Sequence, residues 1–161
     1  MKEALFLEKS IVKSVIDPVN LGTAANTGAR IDMSKLKRLT FILVLAGSGN
    51  TSAHSIALKQ HTLASGGTTA ALSVDNPYFH KIGAATSFTK VSPTVAADTY
   101  DLHAVIGDAA GVVVFEVLQE QLSEGYGFVS LDIADVGTTH LGAVIAIGHE
   151  VTEAPIYSKV V

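Results

Sequence analysis

Apolar and polar side chains change places with a period of two along most of the chain, the period at which a pleated strand turns successive residues to opposite faces. That rhythm predicts a β protein. The segment 38–46 is the clearest strand and becomes apolar on both faces toward its end, which predicts a central place in a sheet. Beyond Gly47-Ser48-Gly49-Asn50-Thr51, a run suited to positive φ, residues 54–63 alternate again, with Ile56, Leu58 and Gln60 on one face and Ser55, Ala57, Lys59 and His61 on the other. The two segments predict a hairpin over 38–63.

Further strands are predicted at 11–16, 71–74, 78–82, 87–91, 100–106, 111–117, 127–133, 140–147 and 151–157, separated by Gly, Pro, Asn and Asp. The first is expected to end at Asp17-Pro18, where proline removes a ladder donor, and residues 21–28 read as loop. One helical candidate, 117–123, is a turn or two at most, or equally a continuation of the strand before it. Strands recur about every 8–12 residues without amphipathic helices between them, which argues against a parallel βαβ sheet and leaves an antiparallel double sheet or a barrel. The expected organisation is an all-β antiparallel sandwich: an N-terminal arm and first strand at 1–16, then a single domain over 17–161 with at most one short helix.

Composition narrows the function classes. The chain has 161 residues, of which 48% are hydrophobic and 16% charged, against roughly 25% charged in ordinary globular chains, so much of its surface must be small, hydroxylic or apolar. Such a surface suits packing against other subunits. It has no cysteine, which excludes thiolate metal sites, cysteine nucleophiles and disulfides. The longest apolar stretch, 141–148, falls well short of the roughly 20 residues of a spanning helix, and the N-terminus lacks an uninterrupted apolar run with a cleavage site, so it reads as mature protein. The formal charge of −4 is unevenly spread: residues 1–40 carry seven Lys or Arg against four acids, whereas 101–161 carry only Lys159 against nine acids. Either the two ends meet in one fold or a basic arm reaches an acidic surface on a neighbour. The few scattered basic residues, without interleaved aromatics, make nucleic acid a poor partner.

Candidate chemistry is sparse. The six histidines, at 54, 61, 80, 103, 140 and 149, form no His-X-His pair, and His149-Glu150 lacks the second histidine of the helical zinc motif. They are expected to cap strand ends or lie at subunit contacts. Gly47-Ser48-Gly49 lacks the Gly-X-Ser-X-Gly pattern of a nucleophile elbow, and neither it nor Gly125-Tyr126-Gly127 opens a helix or brings a following lysine, as a phosphate loop would. Glu116, Glu120 and Glu124 would share one face of a helix and repel there, reading as a solvated or partner-facing edge. The segment 132–137 is too poor in oxygen ligands for a calcium loop. No catalytic, cofactor-binding or metal-binding residue is expected. Tyr78 and Phe79 fit an interface anchor, a sugar platform or simply the core.

The segment 31–41 (IDMSKLKRLTF), running into an apolar strand, resembles the opening of many small proteins encoded in tailed-phage structural operons. A second stretch, 116–122 (EVLQEQL) followed by 125–129 (GYGFV), is similar to their acidic, Leu-containing stretch leading into a Gly-Tyr-X-aromatic-Val strand. Members of this loose group are head decoration, or cement, proteins. The resemblance implies a jelly-roll-like sandwich seated on the capsid exterior as a dimer or trimer, with the major capsid protein as partner, in a virion assembled from chains made in the host cytoplasm. Residue chemistry adds an attachment hypothesis: Leu5, Phe6 and Leu7, with Lys9 and Lys13 beyond them, form an arm that adds a strand to an edge of an adjacent subunit. The alternatives are another neck or tail component, a jelly-roll carbohydrate-binding module, or an enzyme of that fold.

Overall fold

The computed structural model describes residues 6–47 and 55–149. A single helical turn, α1 (Phe6–Lys9), leads into β1 (Ile11–Asn20), followed by β2 (Ile31–Asp32), β3 (Arg38–Leu45), β4 (Ser55–His61), β5 (Thr69–Ala71), β6 (Tyr78–Ile82), β7 (Thr89–Val91) and β8 (Thr99–Asp101). A second short helix, α2 (His103–Ile106), precedes β9 (Gly111–Leu118), a 3-10 turn at Gln119–Gln121, β10 (Phe128–Ile133) and β11 (Leu141–His149). The strands form two antiparallel sheets, one in the order β1-β11-β3-β9-β6-β7, the other β2-β10-β4-β5 with β8 beside β5 on the same edge of β4. The protein is an all-β sandwich. The first four strands of the chain alternate between the sheets, and the chain returns at its other end to lay β11 between β1 and β3.

Inward positions obey the period of two. Leu39, Phe41, Leu43 and Leu45 of β3, with Val113, Phe115 and Val117 of β9, meet Ile56 and Leu58 of β4 and Val129, Leu131 and Ile133 of β10 in one core. Three rings fill one end of it: Tyr78, Tyr100 and Phe115 lie 5.0–5.5 Å apart between centroids. The Tyr100 hydroxyl donates to the Ala97 carbonyl at 3.0 Å, and burial, with Tyr78 beside it, pushes its pKa up to about 12. On β11 the inward positions include Gly142 and Gly148, where a methyl group would meet Leu21 and Leu36 respectively, so small residues there let buried leucines reach the sheet.

Several expectations need correction. The hairpin over 38–63 does not form: β3 pairs with β11 and β9 in the first sheet, while β4 pairs with β10, β5 and β8 in the second. Alternation reports which face of a strand is buried, not which strand lies beside it, and residues 46–54 are long enough to cross the roughly 10 Å between sheets. Most of that connection, including His54, lies outside the described residues, as do Leu5 and the strand expected at 151–157. The first strand does not stop at Asp17-Pro18. It is an edge strand, hydrogen-bonded to β11 on one side, and shifts register between Ser14 and Ile16 and between Ile16 and Val19, so a missing donor is tolerated. The segment expected as strand 100–106 breaks after Asp101, whose Oδ1 accepts the His103 N–H at 2.9 Å and starts α2. Leu102 and Ile106, four apart and both buried, are the helical signal that alternation hid. Glu116 ends up on β9, Glu120 in the 3-10 turn and Glu124 beyond it, so they do not share a helical face.

Candidate functional site

The two outer faces of the sandwich differ in kind. On the second sheet, most outward positions of β4 and β10 are polar, and strand register places Ser130 opposite Lys59 and Phe128 opposite His61. His61 Nε2 and Ser130 Oγ are 2.9 Å apart, His61 Nδ1 and Thr69 Oγ1 also 2.9 Å, and Ser130 Oγ donates to Asp132 Oδ1 at 3.2 Å. Asp132 also pairs with Lys59 Nζ at 2.8 Å and accepts the Gly28 N–H at 3.0 Å. Arg30 ties the neighbouring loop down, donating to the carbonyls of Leu63 at 2.8 Å and Gly66 at 2.6 Å. The result is a closed network in which Ser130 is wholly buried and His61 nearly so. Burial first, then the positive charge of Arg30, holds the His61 pKa below its usual value, while Asp132 opposes them. The imidazole is therefore neutral near pH 7, one nitrogen donating and the other accepting.

Serine, histidine and aspartate within hydrogen-bond reach invite comparison with a hydrolytic triad. The order is wrong for one. Asp132 accepts from Ser130 and not from His61, so among the described residues nothing acidic orients the base, and Ser130 offers no surface to a substrate. What the arrangement does is satisfy polar groups that burial would otherwise penalise. The adjoining depression, about 310 Å³, is lined by Lys59, Thr69, Asp98 and Thr99 among alanines. Among the described residues no three His, Asp or Glu side chains are placed to hold a metal ion, and no helix is long and apolar enough to cross a membrane.

The first sheet presents the opposite chemistry. Register aligns its outward residues in rows across β9, β3 and β11: Val112, Val44 and Ala143 in one, Val114, Ile42 and Ile145 in the next, with Phe79 of β6 extending the second. All are apolar. Val44 keeps 48% and Ile145 38% of its surface exposed, and the others are half-buried. Ionic groups stand at the margins: Lys81 beside Val112 on β6, and Glu116 on β9, where Thr40 Oγ1 donates to it at 3.2 Å. Antiparallel sheets ordinarily turn polar residues outward on the uncovered face, so this strip is the departure to explain.

The sequence-derived partner residues divide among three environments. Phe6 and Leu7 on α1 are 55% and 61% exposed, and Lys9, Lys13, Ile11 and Val12 follow them into solvent at the sheet edge. Phe79 joins the apolar face. Tyr78 does not reach solvent: it is 8% exposed, stacked on Phe115, and belongs to the core instead of a binding surface. Lys13 pairs with Ala146 across the β1–β11 ladder, so residues 11–16 are part of the sheet, and α1 is what precedes it. Of the histidines, His61 and His140 are buried, His140 with its pKa lowered chiefly by burial, while His149 ends β11 with Nε2 3.0 Å from Thr40 Oγ1.

No family model matches this sequence, and no curated protein matches it. Among solved structures, the SPBc2 prophage-derived protein YomS is similar at 13% identity and a TM-score of 0.40, the alignment covering 86% of this chain and 91% of that one. A Podospora anserina GH26-CBM35 β-(1,4)-mannanase aligns at 10% identity and a TM-score of 0.18, over 92% of this chain and 29% of that one. Scores this low establish neither a shared fold nor a shared role.

Proposed function

We propose that this chain is a structural virion protein that binds and stabilises the outside of a tailed-phage capsid, a decoration protein with no bond-making step of its own. The observation that carries the reading is the exposed stretch formed by α1 and the free edge of β1. Phe6, Leu7, Ile11 and Val12, each at least 40% exposed, follow one another with Lys9 and Lys13 among them, on the side of β1 that pairs with no other strand among the described residues and takes only the Ala29 N–H at the Val15 carbonyl. An apolar strand edge of this kind is a template for a second protein, and a stable fold keeps one at a cost in aggregation risk unless it is used. The strand order supports the same reading. Reduced to β1-β11-β3-β9 over β2-β10-β4-β5, it is read here as the two interleaved Greek keys of a jelly roll, an architecture of viral capsid proteins. The similarity of residues 31–41, 116–122 and 125–129 to small phage structural proteins supports the tailed-phage reading.

On this reading the partners are the major capsid protein and further copies of the chain, and the location is the capsid exterior. Deleting residues 1–10, which leaves β1 whole, is expected to lower occupancy on purified capsids at least tenfold in co-sedimentation. Undiminished occupancy would overturn the attachment. Densitometry of virions checks the place in the particle: decoration requires copies in the hundreds, and a count in the tens would move the protein to the neck or tail.

A further inference from the structure

We infer that the outer face of the six-stranded sheet is a self-association surface, occupied by the same face of a second copy of this chain. Its outward rows hold valine, isoleucine, alanine and Phe79 where solvent-facing strands carry polar residues, and the charges have been moved to the margin. Four strands spaced about 4.8 Å apart and about seven residues long at about 3.4 Å each give on the order of 450 Å² per copy, or about 900 Å² in total. That is the size of a weak, reversible interface, in keeping with a dimer that forms at tens of micromolar.

Marginal charge selects the occupant. Lys81 lies beside Val112, and Glu116 lies four residues further along β9, so the two ions bracket Val114 and Phe79 diagonally. A two-fold axis lying in the interface between Val114 and Phe79 exchanges these corners. It sets Lys81 of each copy over Glu116 of the other while Ile42 and Ile145 meet apolar rows. A face that carries both members of an ion pair at positions a two-fold interchanges is complementary to itself. The stretch proposed for capsid attachment, α1 and the free edge of β1, remains at the side of such a dimer, so self-association and attachment are separable.

The test is sedimentation equilibrium of the full chain. Wild type is expected at twice the monomer mass of 16.7 kDa at tens of micromolar. Ile145→Lys, at an exposed position, is expected to sediment as a monomer with an unchanged far-ultraviolet spectrum. Lys81→Glu and Glu116→Lys should each weaken dimerisation about tenfold, and the double exchange should restore it, a rescue that mere damage to the fold would not give. A monomeric wild type, or a dimer indifferent to Ile145→Lys, overturns the inference. So does a monomeric wild type whose capsid binding is abolished by Ile145→Lys, which would make the capsid the occupant. Loss of capsid binding on deleting residues 1–10 with the dimer intact bears on attachment alone.

Discussion

The two outer faces show how differently one fold can treat its solvent side. On the second sheet the outward residues are mostly polar, yet two of them, His61 and Ser130, are buried and bonded to the rest: with Thr69, Asp132 and Lys59 they form a network fastened to the Gly28 backbone. On the first sheet the outward residues are apolar, yet Val44 and Ile145 keep 48% and 38% of their surface in water. Each face is the reverse of what its chemistry alone would dictate. The polar network is thus internal structure, expensive to disturb, whereas the apolar rows, on the self-association proposed above, are left for contact with a second copy.

That contrast can be broken most forcefully at Gly28. A methyl group there would run into the Leu131 carbonyl and the Val15 side chain, and its N–H is the backbone link to Asp132, so Gly28→Ala is expected to destabilise by about 3 kcal/mol in urea unfolding. Asp132→Ala comes next, at about 2 kcal/mol by the same measurement, because it leaves the Gly28 N–H without its acceptor and removes the partner of Lys59. The third effect is a slope. His61 and His140 have folded pKa values below the usual 6.5, so as pH falls the unfolded chain takes up protons that the folded chain resists. Stability is expected to be level above about pH 7 and to decline as pH drops below about 6.5, and His61→Gln should make the decline shallower. On the first sheet, Val44→Thr should change unfolding of the dilute monomer by less than about 0.5 kcal/mol. A cost of several kcal/mol there would mean the face is already structural within one chain, and the contrast would collapse.

Much of the sandwich was legible because its strands alternate. β6 spans 78–82 as expected, β9 and β10 agree to within one residue at either end, and β3 is indeed central, between β11 and β9. The facing of 54–63 was also readable, since Ile56 and Leu58 point inward and Lys59 and His61 outward. Pairing was not, because nothing in the local pattern of 38–63 distinguishes a neighbour in the same sheet from one across the core. The polar network escaped for a related reason: Ser130 and His61 are 69 residues apart, and only register brings them together. A signal existed in the repeated polar positions of one parity, Lys59 and His61 on one strand and Ser130 and Asp132 on another, which suggests two strands sharing a polar face. The apolar outer rows were visible as a strand apolar on both sides. The pattern rightly gives a central strand, and it is silent on whether this chain covers both of its faces.

Pairing of β1 with β11 carries a consequence for biosynthesis. His140 donates its N–H to the side chain of Asn20 across 120 residues, so during translation β1 leaves the ribosome long before the strand that completes its ladder exists. At about 5–20 residues per second that delay is roughly 6–24 s, in which Val15 and Ile16 wait without the strand that helps to bury them. A nascent chain of this design would be a natural client for a chaperone that shields hydrophobic segments until β11 is made.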